Sequence, residues 1–118
     1  MRIWDVDVQV LCDRHLLGEH RELHAIWTVL TEGKRGYARH PETLRWRGRL
    51  AALYARHEAQ TAEMARRGFR HASPLDPAQA TGDTTQTESV TPLDAQLARL
   101  AQLSCGCLSS DAAGVKVL

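Results

Sequence analysis

Asp13-Arg14-His15-Leu16-Leu17-Gly18-Glu19-His20-Arg21-Glu22-Leu23-His24-Ala25-Ile26-Trp27-Thr28-Val29-Leu30-Thr31-Glu32 is a twenty-residue run without proline, and Gly33-Lys34 closes it. Leu16, Leu23, Trp27 and Leu30 fall on one stripe at helical spacing, so the run predicts an amphipathic helix. Gly33 suits its C-terminus, and Asp13 is the expected N-cap.

Outward from this helix, Gly33-Lys34-Arg35-Gly36-Tyr37-Ala38-Arg39-His40 reads as a basic loop. Pro41 suits a first helical turn, and Leu44, Leu50, Leu53, Tyr54, Thr61 and Met64 then recur at helical intervals until Gly68. A second long helix is expected from Pro41 to Arg67, with Gly48 as a point where it can kink or split. Residues 73–89 are rich in Ser, Pro, Asp, Gln, Thr and Gly and read as a linker or long loop. Thr91-Pro92-Leu93-Asp94 has the form of a capping box, and Leu93, Leu97 and Leu100 form a stripe, so a short third helix is expected from Pro92 to Leu103. The end of the chain, residues 104–118, reads as disordered.

The expectation is therefore an all-α protein: one small domain on two long helices, a short third helix, a long polar loop and a disordered C-terminus. Its divisions are 1–76, a linker at 77–91, and the short helix with its tail at 92–118. No apolar run reaches the roughly 20 residues that cross a bilayer, and Met1-Arg2-Ile3-Trp4-Asp5 lacks the order of a signal peptide, so a cytoplasmic protein is expected. Three cysteines, Cys12 apart from Cys105 and Cys107, form neither a disulfide framework nor a four-ligand zinc pattern.

Lys and Arg number 15 against 14 Asp and Glu, which taken together argues against a nucleic-acid partner. The distribution reverses that inference, because residues 1–70 carry a balance of +4 and residues 71–118 one of −3. Within the first helix, His20 and His24 share a face with Glu22 between them. A zinc-protease reading requires the glutamate directly after the first histidine, whereas Glu22 lies about 200° away from His20 around the helix. Side chains with polar tips at the edge of the core account better for this pair. His15 and Glu22 differ by only about 20°, with Gly18 and Glu19 beside them and Arg14 and Arg21 on the outer side. A carboxylate so placed can serve acid-base chemistry on an anionic ligand, or simply belong to a solvated face.

Arg2, Asp13-x-His15-Leu16, Glu19-x-Arg21-Glu22-Leu23, Gly36-Tyr37-x-Arg39-His40-Pro41-Glu42 and Glu63-Met64-Ala65-Arg66-Arg67-Gly68-Phe69, in this order and spacing, resemble the pyrimidine-dimer DNA glycosylase (endonuclease V) family over about residues 1–76. The resemblance implies a helical repair enzyme with DNA glycosylase and abasic-site lyase activity on ultraviolet-damaged duplex DNA. It needs no cofactor and no metal, and is expected to act as a monomer. It further implies that the nucleophile is the N-terminal α-amine, which attacks the sugar C1′, and that a carboxylate on the first helix assists. In this chain these are Met1 and Glu22. An α-amine has a reference pKa of about 7.7 to 8.0, so a useful fraction is neutral near neutral pH. Met1 is expected to stay, because Arg2 is too large a neighbour for methionine trimming. Arg2, His15, Arg21, Lys34, Arg35, Arg39, His40, Arg45 and Arg47 are the expected DNA contacts. The chain differs from the phage-type pattern in Met1 at the threonine's place, in Ala25 where an arginine is expected, and in an acidic tail. Two other readings stand beside this one: a DNA-binding or helical interaction module without catalysis, and a metal hydrolase using His15, His20, His24 and His40.

Overall fold

The computed structural model describes residues 2–71 and 73–103. Met1, the tail expected to be disordered, and Cys105 and Cys107 within it lie outside the described residues. The described residues form helices α1 (Asp13–Glu32), α2 (Pro41–Leu44), α3 (Leu50–Arg66) and α4 (Leu93–Gln102), with single 3-10 turns at Val8–Val10 and Pro77–Gln79. None of them is in a β-strand; one isolated bridge joins Arg49 to Gly82. The all-α reading therefore holds.

α1 has the expected bounds. Gly33 ends it in the left-handed conformation at φ 67°, donating its N–H to the Val29 carbonyl. At the other end the N-cap is Cys12, not Asp13, which occupies the first helical position and instead meets Arg67 at 3.0 Å. Leu16, Leu23 and Trp27 are buried, and Ile26 joins them.

The second helix is not continuous. His40 caps α2, its Nδ1 accepting the Glu42 N–H at 3.0 Å, and α2 then stops after one turn. Gly48 turns the chain at φ 78° before α3 begins. No side chain caps α3 at Arg49; the N–H groups of Ala51 and Ala52 are satisfied by the carbonyls of Thr81 and Asp83, at 2.7 and 3.0 Å. The polar stretch after residue 73 is thus a packed loop that supplies the helix cap. It also puts Leu75 into the core. Leu44, expected on the apolar stripe, ends α2 and is 45% exposed.

α4 begins one residue later than expected, with Pro92 as N-cap and no capping box: Asp94 accepts only from the neighbouring Ala95 N–H. It docks through Leu100 and Gln96, while Leu93 and Leu97 remain 49% and 37% exposed.

Two apolar clusters fill the interior. One gathers Ile3, Leu23, Ile26, Trp27, Trp46 and Leu53; the other gathers Trp4, Val6, Leu11, Leu16, Met64 and Leu100. The extended N-terminal segment contributes to both, and a polar seam crosses the α1–α3 interface, where Glu19 and His20 are buried against His57 and Gln60.

Candidate active site and nucleic-acid interface

Residues 3–6 are held by side chains from four elements or junctions, acting on four successive residues. Arg45 donates to the Ile3 carbonyl at 2.8 Å, and the Trp4 N–H donates to the Glu19 carboxylate at 2.8 Å. The Asp5 N–H donates to Gln96 Oε1 at 2.8 Å, and Arg56 donates to the Val6 carbonyl at 2.7 Å. An extended edge has no ladder partner for its backbone groups, so these charged and amide side chains satisfy them instead.

Glu19 is the centre of this grip. Its carboxylate also accepts from Arg56 at 2.8 and 3.1 Å and from Gln60 Nε2 at 2.5 Å, so α1, α3 and the N-terminal segment meet on one buried anion. The sequence places Glu19 on the right face of α1, but nothing local distinguishes it from Glu22, because its partners lie 15, 37 and 41 residues away.

Just beyond this grip is an open cleft of about 630 Å³, lined by Arg2, Trp4, Arg14, His15, Gly18, Glu19, Glu22 and, from α4, Arg99. The angular grouping of His15, Gly18, Glu19 and Glu22 read from the sequence is therefore one wall of a real cleft. Glu22 is half-buried and has no ion-pair partner among the described residues. Arg2 lies over the Trp4 ring at 4.4 Å from its centroid, and Trp4 meets His15 edge-on. Burial, and secondarily the charge of Arg14, hold His15 below its ordinary pKa, so near neutral pH it is a neutral hydrogen-bonding ring rather than a cation.

A second depression, an open groove of about 1010 Å³, is lined by Lys34, Arg35, Arg39, His40, Arg47 and Tyr37. These five predicted contacts are brought together, and Tyr37, absent from the expected set, joins them. It is 65% exposed and sits at φ 61°, a conformation a non-glycine residue adopts at a cost of about 1 kcal/mol. A smaller recess shares His40 with the groove and Arg2 and Thr91 with the Glu22 cleft.

Two predicted DNA contacts are elsewhere. Arg45 is 4% exposed and is spent on Glu42, on Asp5 at 2.9 Å, and on the Ile3 and Glu88 carbonyls; it is a structural residue, corrected from the DNA-binding set. Its burial was hidden in the sequence because, Glu42 apart, its partners come from the distant N-terminal segment and from the loop at Glu88. Arg21 is exposed but borders a different recess, with His20, His24, Arg70 and His71, away from the Glu22 cleft.

His20 and His24, expected at the core edge, are indeed there, but they meet His57 of α3 and His71 beyond it. Their ligand-capable nitrogens, one per residue, all lie within 4.8 Å of one another. His57 and His71 were missed, since no local spacing links residues 24, 57 and 71. Burial, followed by the neighbouring histidines, lowers His24 to about 4, and burial lowers His20 and His71 as well.

Among the described residues no helix is long and apolar enough to cross a membrane. No curated protein and no solved structure matches the chain. The sequence profile of the family described as Pyrimidine dimer DNA glycosylase matches residues 1–77, which span α1 to α3, the N-terminal segment, the Glu22 wall of the cleft and the basic groove. The chain therefore belongs to the pyrimidine dimer DNA glycosylase family.

Proposed function

We propose that this protein excises damaged pyrimidines from duplex DNA and then cleaves the strand at the resulting abasic site, with the α-amine of Met1 as nucleophile and Glu22 as the assisting carboxylate. The amine nitrogen attacks C1′, the glycosidic bond breaks, and the base departs with its electron pair and a proton. The C1′–O4′ bond then breaks, O4′ taking up a proton from solvent, and leaves an iminium between C1′ and the amine. Loss of a proton from C2′ then expels the 3′ phosphate, and hydrolysis of the imine releases the protein.

The observation that carries this reading is the grip on residues 3–6 next to the cleft of Glu22. A nucleophile at a chain terminus has no side-chain scaffold of its own, so its position depends on how firmly the following residues are fixed. Here Ile3, Trp4, Asp5 and Val6 are each fixed through the backbone, and Arg2 lines the same cleft as Glu22. Glu22, without a competing cation, is available to stabilise the cationic sugar or iminium and to move the elimination proton. Arg2, Arg14 and Arg99 supply anion contacts around it, and Lys34, Arg35, Arg39 and Arg47 continue the positive face along the groove. Exposed Tyr37 offers a stacking surface to a base displaced from a distorted duplex.

Borohydride reduction of the protein with ultraviolet-irradiated or abasic duplex tests this directly. A covalent adduct mapping to the N-terminal peptide is the expected result. Failure to trap with the native N-terminus, or an adduct undiminished by an N-terminal extension, overturns the amine mechanism. Salt-sensitive binding without trapping would instead identify a non-catalytic DNA-binding module.

A further inference from the structure

The recess on the other side of α1 from Glu22 holds a cluster that the proposed chemistry does not use. His24 Nε2 lies 3.1 Å from His20 Nε2 and 3.2 Å from His57 Nε2, and the ligand-capable nitrogen of His71 completes the group. We propose that His20, His24, His57 and His71 form a closed binding site for one divalent transition-metal ion of the zinc class.

Hydrogen bonding among the rings cannot account for the arrangement. Gln60 Nε2 donates to Glu19, so its Oε1 faces His20 Nδ1 at 2.8 Å and requires a proton there. Glu58 is 2.7 Å from His57 Nδ1 and likewise fixes a proton on that nitrogen. With those protons on Nδ1, the Nε2 atoms of His20 and His57 both face His24 Nε2, which lies between them. A proton on His24 Nε2 satisfies one neighbour and leaves the other facing its ring nitrogen without a hydrogen. His71 Nε2 is buried and has no hydrogen-bond partner at all. A single cation at the centre satisfies all four nitrogens.

The dimensions and chemistry fit such an ion. Tetrahedral zinc with bonds of about 2.0–2.1 Å to histidine separates neighbouring ligand nitrogens by about 3.3–3.4 Å, close to the 3.1 and 3.2 Å spacings about His24, and the four nitrogens all lie within 4.8 Å of one another. Imidazole is a preferred ligand of zinc and its first-row neighbours. A carboxylate or amide on the far nitrogen of a ligating histidine is the usual orienting partner, and Glu58 and Gln60 occupy those places. Entry is open through the recess of about 450 Å³ bordered by His20, His24 and His71. Four protein ligands leave no open position for substrate, so the ion staples α1 to α3 and to the segment after it.

The test uses the full chain, stripped with chelator and then titrated with Zn²⁺ against a chromophoric competitor, with Co²⁺ as the spectroscopic probe. Saturation at one ion per chain, a Tm raised by several degrees, and the intense visible absorption of tetrahedral Co²⁺ are expected. Absence of saturable binding by the unmodified chain overturns the proposal, as does binding undiminished in both His24→Ala and His71→Ala. Glu58→Gln, which removes only the orienting carboxylate, should weaken affinity by about tenfold or more. Glu22→Gln should leave the metal affinity unchanged, which separates this site from the proposed catalytic one. Should the histidine variants fail to fold, the Co²⁺ spectrum of the unmodified chain still decides the coordination.

Discussion

Glu19 and Glu22 stand one turn apart on the same helix, and their surroundings assign them opposite work. Glu19 is saturated by the Trp4 N–H, the Arg56 guanidinium and the Gln60 amide, and a carboxylate so occupied has no capacity left for substrate. Removing it by Glu19→Ala leaves Arg56 and the Trp4 N–H without their acceptor, a loss expected to destabilise the fold by about 3–5 kcal/mol in denaturant titration. Glu22 has solvent and three arginines around its cleft instead. Glu22→Gln preserves its shape and removes its charge, so stability should change by less than about 0.5 kcal/mol. Strand scission and borohydride trapping should fall by about 10²–10⁴-fold. A variant that loses stability and activity in parallel would show that Glu22 is structural. Tyr37 makes a third case. Its side chain is largely exposed, so Tyr37→Ala should spare the fold and weaken binding to damaged duplex by about 1–3 kcal/mol in a fluorescence titration.

At the scale of elements, the crossing of Gly48 and Gly82 governs how α3 begins. A Cβ on Gly82 would stand 2.2 Å from the Gly48 carbonyl oxygen, and its φ of 82° disfavours any side chain. Gly82→Ala must therefore push the loop off the end of α3, uncovering the Ala51 and Ala52 N–H groups. A destabilisation of about 1–3 kcal/mol is expected, with hydrogen exchange accelerated first at Ala51 and Ala52. An unchanged exchange pattern there would remove the loop from its capping role. The same crossing explains what the sequence could and could not disclose. The bounds of α1 were legible because its apolar stripe and terminal glycine are local, whereas its N-cap was not, since the Cys12 side chain makes no capping hydrogen bond. The start of α3 was not, because its cap comes from carbonyls some thirty residues later and Arg49 carries no capping signal. On the site, the helical angle alone grouped His15, Gly18 and Glu22 correctly, since one helix supplies that wall. Arg45 was misread because a basic residue after a basic loop gives no sign of partners at Ile3, Asp5 and Glu88, and the four histidines converge only after α1 and α3 pack.

Over the whole molecule, charge is divided between ions that hold the fold and ions left to meet a partner. Glu63 belongs to the first group: hydrogen bonds from Arg66, then from Arg67, hold its carboxyl below the ordinary value of 4.5 despite its burial. A depressed folded pKa stabilises above the unfolded value, and that contribution disappears as pH falls through the folded value. The Tm difference between the unmodified chain and Glu63→Gln should thus be constant near neutrality and shrink below about pH 4.5. The second group fixes how binding responds to salt. Lys34, Arg35, Arg39 and Arg47 line the groove, and neutralising a residue that contacts phosphate should reduce the slope of log K against log salt by about 1. Arg45→Gln is the informative contrast. Its guanidinium is buried on Asp5, Glu42 and the chain carbonyls, so the substitution should lower stability while leaving that slope intact. With a formal net charge of only +1, the protein should bind undamaged duplex weakly near physiological salt, and damaged duplex should gain affinity without a steeper slope. A steeper slope on damaged DNA would mean that lesion recognition recruits additional phosphates rather than exploiting the distortion of the helix.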